Sequence, residues 1–192
     1  MNQKSLESVD WSAIPRPIDD GTASHLQGAL MPDIALPSTS GGDVEFGQLS
    51  GWSVLYFYPM TGRPDVPLPD GWDDIPGARG CTPQSCAFRD HSQDLADRGV
   101  SALFGISTQS SEYQKEAVDR LHLPFDLLSD AELRLATALN LPTMEVNGRV
   151  LLKRLTLILH GRQIKKVFFP VFPPDRNATD VLEFMVARGG PS

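Results

Sequence analysis

Only two of the 192 residues are cysteine and only four are histidine. Tetrahedral zinc needs four ligands, or three and an open place, and His25, His91, His122 and His160 have no ligand-type spacing to either cysteine. No metal and no other cofactor is therefore expected. Basic residues are also scarce, with 17 Lys and Arg against 24 Asp and Glu for a net charge of -7. A surface of that sign repels phosphate backbones, which argues against nucleic acid as a partner. Long apolar runs are missing as well. Residues 1 to 7 hold no stretch that could form the core of a signal peptide, and no later run approaches membrane-spanning length, so a soluble cytoplasmic protein with no membrane partner is expected. Repeats, low-complexity tracts and linkers are absent too. A hydrophobic fraction of 41% with 21% charged residues fits a folded chain, long enough for one full core and too short for two comfortable ones.

What is present concentrates around the cysteines. They lie in the run Gly80-Cys81-Thr82-Pro83-Gln84-Ser85-Cys86-Ala87-Phe88-Arg89-Asp90. Thr82 is a good N-cap and Pro83 suits a first helical position, so a helix is predicted from Thr82 to near Arg98, with Gly99 as its terminator. On that reading Cys81 lies just outside the helix mouth and Cys86 one turn inside. Unpaired N–H groups and the positive end of the helix dipole then favour a thiolate at Cys81. In a reducing compartment, such a close pair is redox-active or metal-binding more often than it is a structural staple.

The first 30 residues are polar, carry Pro15 and Pro17, and read as an arm that wraps or frays, with a short helix at 26 to 30. Residues 31 to 190 read as one domain. It opens with an edge strand at 32 to 37 and a turn at Ser40-Gly41-Gly42. Trp52-Ser53-Val54-Leu55-Tyr56-Phe57-Tyr58 is a buried strand ending at Pro59, its aromatics core rather than a binding platform. Residues 60 to 80 break every periodicity and predict a long loop, a feature that is often functional. A second strand is predicted at 100 to 107, a helix from Ser110 or Ser111 to about Leu121, and a brief strand at 124 to 128. Ser129-Asp130 caps a helix carrying Leu133, Leu135, Ala136 and Leu139, and Asn147-Gly148 signals a hairpin. Strands at 151 to 159 and 163 to 169 and a helix at about 178 to 188 complete an α/β pattern. A thioredoxin-like fold, a central mixed sheet flanked by helices, fits that order.

Tyr56-Phe57-Tyr58-Pro59, the run Gly80 to Asp90 with its Cys-Thr-x-x-x-Cys-x-Phe-Arg-Asp string, and Arg154-Leu155-Thr156-Leu157-Ile158-Leu159-His160-Gly161 together resemble the peroxiredoxins. The likeness is to the peroxiredoxin Q or bacterioferritin-comigratory-protein branch, from about Pro32 to the last helix. It implies a thiol peroxidase acting on hydrogen peroxide or organic hydroperoxides. Cys81 would be the peroxidatic cysteine, Cys86 the resolving cysteine that forms an intramolecular disulfide with it, and Arg154 the residue that polarises thiolate and peroxide. A dithiol protein such as thioredoxin or glutaredoxin would be the reductant, and the protein a monomer or homodimer. The chemistry agrees, because charge builds on the departing oxygen and an oriented cation lowers that barrier. A guanidinium inside a strand would otherwise be a costly choice.

The chain departs from the family's Pro-x-x-x-Thr-x-x-Cys loop in two ways. Ala78 stands where a threonine is expected, and Pro59 lies 22 positions before Cys81. Pro59, Thr61 and Thr82 are the remaining candidates for the active-site loop, with Thr61 or Thr82 replacing the missing hydroxyl. Two rival readings use the same residues: a thiol–disulfide oxidoreductase or redox sensor, and a non-catalytic thioredoxin-fold binding module. The first would normally carry Cys-x-x-Cys, not four intervening residues.

Overall fold

The computed structural model describes residues 9–189. Residues 1 to 8 of the predicted arm and residue 190 of the predicted domain lie outside the described residues. A small hairpin comes first, β1 (Ala35–Pro37) with β2 (Asp43–Glu45), followed by β3 (Trp52–Phe57), α1 (Cys81–Asp90), α2 (Ser92–Asp97) and β4 (Val100–Ser107). Next are α3 (Ser111–Leu121), β5 (Leu127–Ser129), α4 (Arg134–Leu139) and the hairpin β6 (Thr143–Val146) and β7 (Arg149–Leu152). The chain closes with β8 (Leu155–His160), β9 (Gln163–Phe168) and α5 (Asn177–Ala187). Five strands form the central sheet in the order β5-β4-β3-β8-β9, with β3, β4 and β5 parallel and β8 and β9 antiparallel. This is the mixed thioredoxin-like sheet that the element order predicts.

Strand alternation divides the core in two. Leu55 and Phe57 face one side with Leu135 and Leu139 of α4 and with Leu26 and Met31 from the segment before β1. Val54, Tyr56 and Tyr58 face the other, against Phe88, Leu95, Leu121 and Val181 from α1, α2, α3 and α5. Each such side chain contributes about 1.5–3 kcal/mol on burial. Tyr56 is the post on which α1 stands. Its ring stacks on Phe88 at 4.5 Å and its hydroxyl donates to Ser85 Oγ at 3.0 Å. A Cβ on Gly105 would lie 2.5 Å from that ring, so the neighbouring strand has glycine there. Burial first, then the nearby Tyr58, pushes the Tyr56 phenol well above its usual range, and it stays neutral in physiological conditions.

Several predicted boundaries shift. The helix expected from Thr82 begins at Cys81, after Gly80 at φ 108°, so Thr82 is inside the helix and is not its cap. Gly80 is also pinned by sterics, since a Cβ there would meet Pro174 Cγ at 2.5 Å and Trp11 Cη2 at 2.8 Å. The same helix breaks at His91 into α1 and α2, where the Ser92 hydroxyl donates to the Arg89 carbonyl at 2.8 Å and competes for a backbone acceptor. Gly99, at φ 87°, ends α2 as predicted. The single strand expected at 151 to 159 is two: β7 pairs with β6, β8 pairs with β3 and β9, and Arg154 occupies the corner between them. The helix expected at 26 to 30 is a 3-10 turn, Ser24–Leu26. The loop at 60 to 80 carries a 3-10 turn of its own, and Trp72 and Ala78 pack beneath the β6–β7 hairpin against Val146 and Leu151. The Ser110 cap and the Asn147-Gly148 turn are as expected, the latter with φ of 50° and 73°. Among the described residues, no helix is long and apolar enough to cross a membrane.

Candidate active site

Cys81 is the first residue of α1, 4% exposed, and its thiol donates to the Ala78 carbonyl at 3.7 Å. Arg154 comes to it from the β7–β8 corner, 3% exposed, with Nη2 at 3.2 Å from Cys81 Sγ. The same nitrogen reaches the carbonyls of Gly77, Ala78 and Arg79 at 3.3, 3.1 and 3.1 Å. Nη1 donates to Gln84 Oε1. One side chain thus joins the end of the long loop to the first turn of α1. No carboxylate pairs with Arg154 among the described residues, so carbonyl dipoles and the sulfur are what offset its burial. Cys86, also buried, lies one turn further along α1, and no disulfide joins the two.

Behind Arg154 the polar contacts continue. Gln84 Nε2 donates to Asn177 Oδ1 at 2.9 Å, and the Thr156 hydroxyl donates to the same oxygen at 2.7 Å. All three residues are buried. Gln84 could have been suspected from the sequence, since it stands three after Cys81 on one helix face. Nothing along the chain marks Asn177, which is 93 residues from Gln84.

Pro59, Thr61 and Thr82 are also expected at the site. Pro59 is buried where β3 ends, and Thr82 is half-buried at the second position of α1. Thr61 is tied to Gln109: its N–H and hydroxyl donate to Gln109 Oε1 at 2.8 and 3.2 Å, and Gln109 Nε2 donates back to the Thr61 carbonyl at 3.0 Å. Thr61→Val should therefore leave the oxidation rate of Cys81 within about twofold of wild type. A tenfold slowing in stopped-flow would instead bring its hydroxyl to the peroxide. At Ala78, where the resemblance expects a hydroxyl, the chain offers a backbone carbonyl to both Cys81 and Arg154.

Residues between Trp11 and Asp20 pack over this corner. The Trp11 indole N–H donates to Asp175 at 2.8 Å, and its ring meets Phe172 edge-on at 6.0 Å. Lys153 and Asp20 pair at 2.7 Å, which holds the Asp20 carboxyl well below the usual carboxylate range. Between the arm and Phe169 a cleft of about 280 Å³ opens beside Arg154. Among the described residues, no group of three or more His, Cys, Asp or Glu comes together as metal ligands would.

A family model described as Redoxin matches residues 26–182, most of the chain. The protein belongs to the Redoxin family. Within it, this redoxin is a peroxiredoxin of the Q and Bcp group. It is 27% identical over 164 residues to the chloroplastic peroxiredoxin Q of Sedum lineare, covering 85% of this chain and 79% of that protein. It is 31% identical over 121 residues to peroxiredoxin Bcp of Bacillus subtilis, covering 62% of this chain and 67% of that protein. Among solved structures, peroxidoxin BcpB of Mycobacterium tuberculosis superposes with a TM-score of 0.68 at 25% identity, over 84% of this redoxin and 96% of that chain. Trp11 and the other residues before 26 lie outside the family match.

Proposed function

We propose that this protein is a thiol-dependent peroxidase in which Cys81 is the peroxidatic cysteine, Cys86 the resolving cysteine and Arg154 the residue that stabilises charge in the oxidation step. The single observation that carries this reading is the buried Arg154 guanidinium at 3.2 Å from Cys81 Sγ, with a second thiol one turn along the same helix. A buried cation without a carboxylate partner stands ready to meet the negative charge that develops as the O–O bond breaks. The thiolate attacks the terminal oxygen of a hydroperoxide and the O–O bond breaks. The hydroxyl stays on sulfur as a sulfenic acid, and the departing oxyanion takes a proton to leave as alcohol, or as water from hydrogen peroxide. Arg154 Nη2 and the N–H groups at the start of α1 stand where that oxyanion develops. Cys86 then condenses with the sulfenic acid, forming the disulfide and releasing water.

The substrate is hydrogen peroxide or an organic hydroperoxide, and the cleft beside Arg154 leaves room for an organic group. A dithiol protein such as thioredoxin or glutaredoxin returns the disulfide to thiols by exchange. The setting is cytoplasmic, the protein a monomer or homodimer, and residues 31 to 190 form the catalytic domain behind the arm. Pro59, Thr61 and Thr82 shape the loop around the sulfur. Stopped-flow consumption of peroxide tests the whole reading: fast loss of one equivalent per chain is expected, and no loss would leave a redox sensor or a binding module.

Resolution requires α1 to open. Residues five apart in an α-helix are separated by about 7.5 Å along the axis and point about 140° apart. A disulfide needs Cα atoms within about 7 Å and converging side chains. The reduced protein holds an intact α1, so the oxidised protein should lose about one turn at its start, where N–H groups are already unpaired. Amide exchange across residues 82 to 88 should speed up on oxidation, once mass spectrometry has confirmed the Cys81–Cys86 bond. Identical protection with the bond present would mean that resolution proceeds without unwinding.

A further inference from the structure

The buried amide of Asn177 belongs to neither cysteine nor arginine, yet it terminates the chain of hydrogen bonds that holds Arg154 at the sulfur. We propose that Asn177, at the start of α5, is a positioning residue that orients Gln84 and through it Arg154; the inference rests on the peroxidase reading above.

The argument is one of donors and acceptors. Arginine has only donors, so Gln84 must turn its carbonyl oxygen toward Arg154 Nη1, as it does. The amide nitrogen of Gln84 then points the other way, inside a fully buried environment, and requires an acceptor there. Asn177 Oδ1 is that acceptor, at 2.9 Å. A flipped Gln84 would set its NH₂ against the guanidinium, donor against donor. Asn177 is in turn held oxygen-inward by the Thr156 hydroxyl, which donates to the same Oδ1 at 2.7 Å. Its Nδ2 is buried with no hydrogen-bond partner, so only the oxygen of this side chain takes part in the network. The sequence of bonds therefore has one direction, with Thr156 and Gln84 both donating to Asn177 and Arg154 donating to Gln84. With Asn177 removed, Gln84 loses its reason to present oxygen to Arg154, and the guanidinium keeps its carbonyl contacts through Nη2 but loses the one made by Nη1.

Because Nδ2 makes no bond, an aspartate can replace Asn177 without loss of either contact, and a carboxylate suits the first residue of a helix. Leucine has the same shape but no acceptor. The readouts are the second-order rate of Cys81 oxidation by hydrogen peroxide and, in a Cys86→Ser background, the rate of Cys81 alkylation by iodoacetamide. Thermal melts confirm that each variant is folded. Asn177→Leu should slow oxidation by about tenfold or more, as expected when a charge-assisted hydrogen bond is misplaced, and Asn177→Asp should keep the rate within about threefold. Gln84→Leu should match Asn177→Leu, and the double variant should be no slower than Gln84→Leu alone, because the two act through one contact. A residue that merely packs would give additive losses. Additivity, an unchanged rate in Asn177→Leu, or a tenfold loss in folded Asn177→Asp each overturns the proposal. Should Asn177→Leu not fold, the Asn177→Asp result and the Gln84 comparison with Asn177→Ala decide it. If wild type consumes no peroxide, the peroxidase reading fails, and the alkylation rates still report whether Asn177 acts on Cys81.

Discussion

Cys81→Ser should show no peroxide turnover at any substrate concentration, while Cys86→Ser should consume one equivalent and stop at the sulfenic acid. The asymmetry follows from position. The sulfur of Cys81 lies 3.2 Å from Arg154 Nη2, and Cys81 opens α1, where backbone N–H groups have no helical acceptor. Serine at 81 keeps a donor and acceptor of nearly the same size between Ala78 and Arg154, so the fold should survive and the loss should be chemical. Trapping the sulfenic acid with a cyclic diketone and weighing the adduct checks both variants. A sulfenic acid at residue 86 in the Cys81→Ser protein would exchange the two roles.

Arg154→Met should lower the second-order rate of Cys81 oxidation by about 10²- to 10³-fold, the typical effect of removing one preorganised donor from a developing oxyanion. The change also leaves the carbonyls of Gly77, Ala78 and Arg79 and the oxygen of Gln84 without their shared donor. A buried polar group left unsatisfied costs about 1–3 kcal/mol, so a lower melting temperature should accompany the kinetic loss. Arg154→Lys should recover little, because one ammonium cannot reach the sulfur, Gln84 and three carbonyls together. An unchanged rate in a folded Arg154→Met protein would remove the residue from the chemistry.

The elements that were legible along the chain are those whose signals are local. Runs of apolar, aromatic and branched residues mark β3 and β4, Ser110 marks the start of α3, and Asn147-Gly148 supplies the two positive φ angles of a tight hairpin. The boundaries that shifted depend on what packs nearby. Thr82 has the chemistry of an N-cap, but Gly80, pressed between Trp11 and Pro174, turns the chain one residue earlier. Arg154 lies in an apolar run that reads as one strand, yet that run serves two sheets and bends where it changes partners.

By itself, the sequence determined the α/β order, the cysteine pair with its spacing of five, and an arginine too costly to be buried without a purpose, because propensity, periodicity and cap chemistry act over a few neighbouring residues. Only the tertiary structure decided that Arg154 meets Cys81 across 73 positions, that Gln84 and Asn177 lie behind it, and that Thr61 is held by Gln109. Those meetings depend on β8 lying beside β3 and on α5 packing against α1, which leave buried donors and acceptors that must be satisfied by whatever the fold brings within 3 Å or so.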